Sequence, residues 1–201
     1  MSDLDLLQEL AELQRSDFGI FLVGCFAILY PGQQLEMAEY IELMASGLAD
    51  VARGRKRRLV INVPPRHLKS MIGSIAFSAW CLGRDPTAQI MCVSYAQDLA
   101  LKLARDTRTI MMSEWYRKLF PKTRLASQRP ALEELITTQG GYRLANSVHG
   151  SVTGRGAGII IIDDPLKPDE AMSDSQGRRR MTGLTGPSSA GSTISGTVRL
   201  C

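Results

Sequence analysis

The sequence predicts an α/β protein: a mainly parallel sheet with helices on both faces, preceded by an all-helical N-terminal segment. Three observations carry this expectation. Residues 1–52 show helical spacing and no strand pattern. From residue 58 onward, apolar runs of strand length alternate with helix-length stretches, the order of a sheet wound by crossover helices. The runs RLVINV (58–63), AQIMCVSY (88–95) and GIIIIDDP (158–165) are apolar along their length and not alternating, as strands buried on both faces must be.

Taken in order, Ser2 stands where a first helix would be capped. The uncharged run FGIFLVGCFAILY (18–30) falls short of the roughly 20 apolar residues of a membrane span and ends at Pro31-Gly32. Five acids lie in the seventeen residues before it, unlike the basic start of a signal peptide, so it reads as a buried core helix. A third helix is expected from about Gln34 to Ala52. The basic cluster Arg53, Arg55, Lys56, Arg57 and Arg58 follows; it reads first as a solvated helix end whose cations suit the negative pole of the dipole, with a DNA contact as the alternative. Residues 70–83 and 97–112 have helical spacing, and a short helix is expected around SEWYRKLF before Pro121. ELITT and YRLAN flank Gly140-Gly141, a hairpin signal.

A chain of 201 residues, 44% hydrophobic and 22% charged, has the composition of one globular core. Its net charge of +4 leans only mildly towards a polyanionic partner. The four cysteines are far apart and only two histidines are present, so no zinc-ligand spacing exists and buried reduced thiols are expected.

The stretch VPPRHLKSM (63–71) follows the first strand. A phosphate loop needs backbone N–H groups and a lysine around the phosphates, and a hydroxyl for Mg²⁺. Here Lys69-Ser70 stands before a helix, but Val63 and Leu68 occupy the two glycine positions. Pro64 and Pro65 have no N–H to give, so donors must come from Arg66 onward; Leu68 can serve without a glycine if its backbone stays at negative φ. Alone, a Lys-Ser pair at a helix start is ordinary helix surface. GIIIIDDP changes the balance, because it places Asp163 and Asp164 at the exit of a buried strand. Adjacent carboxylates there repel each other unless a cation joins them; the plainer alternative is that Asp164 caps the turn at Pro165.

The series PPRHLKS, VSYAQDLALKLARDTR, LFPKTRL and TTQGGYRLANSVHGSVTGRGAGIIIIDDPLKPDEA resembles the large terminase subunit of tailed bacteriophages, in matching order over roughly residues 20–177. The resemblance implies a RecA-like P-loop ATPase core that couples ATP hydrolysis to packaging of double-stranded viral DNA into the capsid. It implies ATP and Mg²⁺ as cofactors; a small terminase subunit, a portal protein and a homo-oligomeric ring as partners; and the cytoplasm of a bacterial host as location, without a membrane. By motif, Pro65, Arg66, His67, Leu68, Lys69 and Ser70 correspond to the ATP-binding loop. Lys69 resembles the phosphate-binding lysine, Ser70 and Asp163 the Mg²⁺ ligands, Asp164 the water-activating carboxylate, and Arg66 an arginine that stabilises the γ-phosphate. Gln33 or Gln34 is a looser match for adenine recognition, and Arg155 in TGRGAG (153–158) for contact with phosphate or a neighbouring subunit. Two other readings remain: a different nucleic-acid-dependent P-loop ATPase such as a helicase, and a non-catalytic nucleotide- or DNA-binding remnant.

The expected organisation is a helical segment at 1–52, an ATPase core at 53–177 and a tail at 178–201. From Met181 to Cys201, twelve of 21 residues are Gly, Ser or Thr. No strand period is evident there, and the tail reads as disordered or as the product of a frameshift between about Gln176 and Met181. On that reading the family's nuclease domain is absent, the sheet lacks one strand beside its centre, and ATPase activity is expected to be weak or absent.

Overall fold

The computed structural model describes residues 2–126, 133–148, 156–165 and 196–200. Three helices come first: α1 (Asp3–Ser16), α2 (Phe18–Leu29) and α3 (Glu39–Ala52). Ser2 and Asp5 form the reciprocal capping box of α1, satisfying two otherwise orphaned N–H groups. Asp17 caps α2, which buries Phe18, Phe21, Leu22, Cys25 and Phe26, as the apolar run demands. Gly32, at φ 81°, turns the chain after α2 in a conformation that favours glycine. The third helix begins at Glu39, five residues later than its apolar pattern suggests. No described helix is long and apolar enough to cross a membrane.

Among the described residues six strands follow: β1 (Arg58–Ile61), β2 (Gln89–Ser94), β3 (Glu134–Ile136), β4 (Tyr142–Ser147), β5 (Ile159–Asp163) and β6 (Gly196–Leu200). They form one sheet in the order β1-β6-β5-β2-β4-β3. All pairings are parallel except the β3–β4 hairpin, whose turn uses Gly140 at φ 85°. Between the strands run a π-helical segment (Met71–Ala76) that continues into α4 (Phe77–Arg84), then α5 (Gln97–Met112) and α6 (Glu114–Leu119). This is the mixed α/β arrangement with a mostly parallel sheet expected from the alternation of runs, and it is consistent with the RecA-like core that the resemblance implies.

The main core joins the N-terminal helices to the central sheet. Ile61, Ile90, Cys92, Ile161, Val198 and Leu200 supply its sheet side, and residues of α2, α3, α4 and α5 cover them. Cys25, Cys81 and Cys92 are free and buried in it, and burial pushes the Cys81 thiol well above its ordinary value. These are inert packing thiols.

One expectation is corrected. Residues 196–200 of the tail form β6, which pairs in parallel with both β1 and β5, so the place beside the sheet centre is filled. Val198 and Leu200 are fully buried on one side, while Thr197 and Arg199 alternate to the other. Gly196 and Gly73 allow the close approach: a Cβ on Gly196 would stand 2.7 Å from Val51 Cγ1, and one on Gly73 2.5 Å from Leu200 Cδ1. The remainder of the tail, the proposed frameshift point, Arg155 and the segment after Pro165 lie outside the described residues.

Candidate functional site

β1 and β5 are separated only by β6, and both run parallel to it. The loop after β1 and the carboxylates at the end of β5 therefore emerge at one end of the sheet, where open α/β sheets place their ligand sites. Lys69 and Asp164 meet there: Lys69 Nζ forms an ion pair with Asp164 Oδ1, with the lysine side chain 12% exposed and the aspartate side chain 44% exposed. Ser74 Oγ donates to Asp163 Oδ2 at 2.8 Å. Burial raises the Asp163 carboxyl above its ordinary value; the bonds from Ser74 and Ser70 lower it, the charge of Asp164 raises it again and Lys69 opposes that. Asp163 is fully buried, yet its Oδ1 has no hydrogen-bond partner.

The backbone of the site is strained at three non-glycine residues. Arg66 has φ 68°, Leu68 φ 57° and Asp164 φ 44°, each in the left-handed region that costs an ordinary residue about 1–2 kcal/mol. The condition under which Leu68 needs no glycine, a negative φ, is thus not met: the loop adopts left-handed turns without the glycines that ease them. The surroundings hold it there. Ile72 N–H donates to Leu68 O at 2.8 Å, Leu68 packs against the main core, and His67 Nδ1 donates to the carbonyls of Pro64 and Pro65 at 3.1 and 3.0 Å. Asp164 is fixed by its backbone from two sides, through Tyr95 N to Asp164 O at 3.1 Å and Asp164 N to Leu200 O at 3.2 Å. Strain clustered in this way marks functional sites. The helix beyond the loop opens as a π-helical segment, a further feature enriched at such sites.

A cavity of about 440 Å³ lies against the loop. Pro64, Pro65, Arg66, Leu68, Lys69, Ser70 and Asp164 line it, so all the expected loop residues except His67 face one space. His67 turns instead towards Tyr40, ring centroids 5.4 Å apart. Tyr30 on the way out of α2, Met71 and Ile75 beyond the loop, and Lys102, Leu103 and Asp106 on α5 complete the lining, whereas Asp163, Gln33 and Gln34 are not part of it. Lys102 and Asp106 form an ion pair at 2.9 Å; their i,i+4 spacing was visible in the sequence, but nothing in it showed that they reach this cavity. Ser74, one helical turn past Ser70, carried a readable signal in KSMIGS. Among the described residues no group of three or more His, Cys, Asp or Glu could hold a metal by side chains alone.

The residues fit a nucleotide with a divalent cation. The orphaned Asp163 Oδ1 is a buried acceptor, Ser70 supplies a hydroxyl beside it, and Lys69 supplies a positive charge paired with Asp164. No protein-family model matches the sequence, and no curated protein matches it. Among solved structures, the crystal structure of the HK97 bacteriophage large terminase aligns with a TM-score of 0.54 at 14% identity. The alignment covers 92% of this chain and 37% of that one. At this identity the likeness shows a terminase-like fold, and the chain spans just over a third of its neighbour's length.

Proposed function

We propose that this chain is the ATPase part of a large-terminase-type motor, which couples hydrolysis of Mg·ATP to movement of double-stranded viral DNA into a capsid. The observation that carries the reading is the junction of Lys69 and Ser70 on one strand exit with Asp163 and Asp164 on another. In this role Ser70 and Asp163 would hold Mg²⁺, which would supply neutralisation of the phosphate charge. Lys69 leaves Asp164 for the phosphates, and this frees the Asp164 carboxylate to accept the proton of an attacking water. Water oxygen bonds to the γ-phosphorus as the bond to the β-phosphate oxygen breaks. Arg66, exposed at the cavity wall, stabilises the charge that develops on the phosphoryl oxygens. A small terminase subunit, a portal protein and further copies in a ring are the partners this role carries, within the cytoplasm of a bacterial host.

Phosphate release from Mg·ATP, measured with and without duplex DNA, tests the reading. Lys69→Ala should abolish nucleotide binding. Asp164→Asn should keep binding and lose turnover by about 10²–10⁴-fold. Turnover that survives Lys69→Ala sinks the assignment. Binding without turnover in the unaltered chain supports the non-catalytic remnant instead.

A further inference from the structure

The end of the sheet opposite the phosphate loop is strongly basic, and separate chain segments build it. The parallel strands β1, β6, β5, β2 and β4 start at this end, and the run Arg53–Arg58 leads directly into β1. Arg84 closes α4 at the same end, and Lys122 follows α6. The last turn of α1 ties these segments together. Arg15 Nη1 donates to Leu119 O at 3.3 Å, and Arg53 Nη2 donates to Ser16 O at 2.8 Å. A cavity of about 390 Å³ is lined by Arg15, Arg84 and Lys122, and Arg84 also lines the next cavity, which reaches Ala52 at the end of α3.

The local carboxylates do not neutralise this surface. Asp50 is engaged by Arg55 at 2.8 Å and Lys56 at 2.9 Å; Asp17 caps α2 and Asp85 accepts from Thr87. Arg53, Arg57, Arg58, Arg84 and Lys122 are exposed and have no ion-pair partner among the described residues. The helix dipole accounts for a cation in the last turn of α1 and of α4, but not for Arg57 and Arg58, which stand outside any helix.

We propose that this end is a docking surface for the phosphate backbone of duplex DNA. Arginine dominates it, and the guanidinium fork matches phosphate geometry. Single strands bind through exposed aromatic platforms, and here the ring beneath Arg84 is Trp80, which is fully buried. The inference deepens the packaging reading, whose substrate is duplex DNA, and it leaves the phosphate loop free, so that DNA and nucleotide bind together.

Fluorescence anisotropy with a labelled duplex of about 30 base pairs, titrated over a range of NaCl, tests it. Arg57→Glu, Arg84→Glu and Lys122→Glu take one cation from each of three segments. Each should weaken binding roughly three- to tenfold near physiological salt, and the triple variant should flatten the slope of log K against log[NaCl] by about three. The Gln versions should show smaller losses of the same order among sites. Arg105→Glu, an exposed cation on α5, should change affinity less than about twofold. Reversals without effect, an equal effect from Arg105→Glu, or polyglutamate competing as well as duplex would each overturn the proposal. Mg·ATP binding by the same variants should equal that of the unaltered chain. If the unaltered chain binds DNA in this pattern but no nucleotide, the nucleotide reading fails and the surface stands; nucleotide binding with DNA affinity indifferent to the reversals sinks the surface alone.

Discussion

At Leu68 the backbone sits at φ 57° with a branched side chain attached, and this is where the loop's unusual chemistry can be tested. Glycine would relieve about 1–2 kcal/mol of backbone strain, while giving up the contact Leu68 makes with the core. The two terms oppose each other, so Leu68→Gly should leave the melting temperature and Mg·ATP affinity nearly unchanged. A β-branched residue tolerates left-handed φ worst, so Leu68→Val should lower stability by about 1–2 kcal/mol and weaken nucleotide binding; equal behaviour of the two variants in a thermal melt with ATP titration would contradict this account. Asp163 makes a second residue-level prediction. Burial raises its carboxyl above the ordinary 3.8, so folding takes up a proton between 3.8 and the higher folded value. Its contribution to stability is then most favourable below that window and is lost as pH rises through it. With divalent cations chelated, the melting temperature of Asp163→Asn relative to the unaltered chain should climb with pH and level off above the folded value. A difference that stays flat with pH would rule out the buried charge.

At the scale of elements, what was legible follows from how much of the pattern each element carries by itself. β2 is buried from Ile90 to Ser94, and β5 is half-buried at Ile159 and Ile160 and buried from Ile161 to Asp163, so IMCV or four isoleucines announce them without reference to neighbours. The bounds of α5 follow from its amphipathic spacing, with Ala100, Leu103, Ala104, Thr107, Ile110 and Met111 facing inward. β6 shows the opposite case. In GTVRL only Val198 and Leu200 are apolar, and they sit in a Gly-, Ser- and Thr-rich context that resembles a linker. What makes it a strand is the slot between β1 and β5 and the two glycine-permitted contacts with Val51 and Leu200, none of which is local in sequence. Lys102 and Tyr30 were missed at the cavity for the same reason: their orientation is set by packing, not by spacing. Truncating Leu200 to Ala removes a fully buried side chain and should cost about 2–5 kcal/mol in urea unfolding; a loss under about 0.5 kcal/mol would mean that β6 does not occupy the sheet.

For the whole molecule, β6 decides whether the site exists as a unit. Among the described residues β1 pairs only with β6, and β1 leads into the loop, whereas β5 ends at Asp163 with Asp164 directly after it. Asp164 N–H also donates to Leu200 O, so the last strand fixes one carboxylate directly while it aligns the lysine opposite. Without it, the contact of α3 with β1 would still hold the loop strand near the core, but its register against β5 would be lost. Nucleotide-linked stabilisation reads this register, because a ligand at about 100 times its dissociation constant adds about 2.7 kcal/mol to a folded state that binds it. A chain ending at residue 195 keeps every loop and carboxylate residue, yet it should show no thermal shift with Mg·ATP and faster amide exchange across residues 58–69. The full chain should show the shift, and Lys69→Ala should lose it while keeping slow exchange in β1. A shortened chain that still gains stability from Mg·ATP would show that the phosphate loop and its carboxylates are positioned without β6.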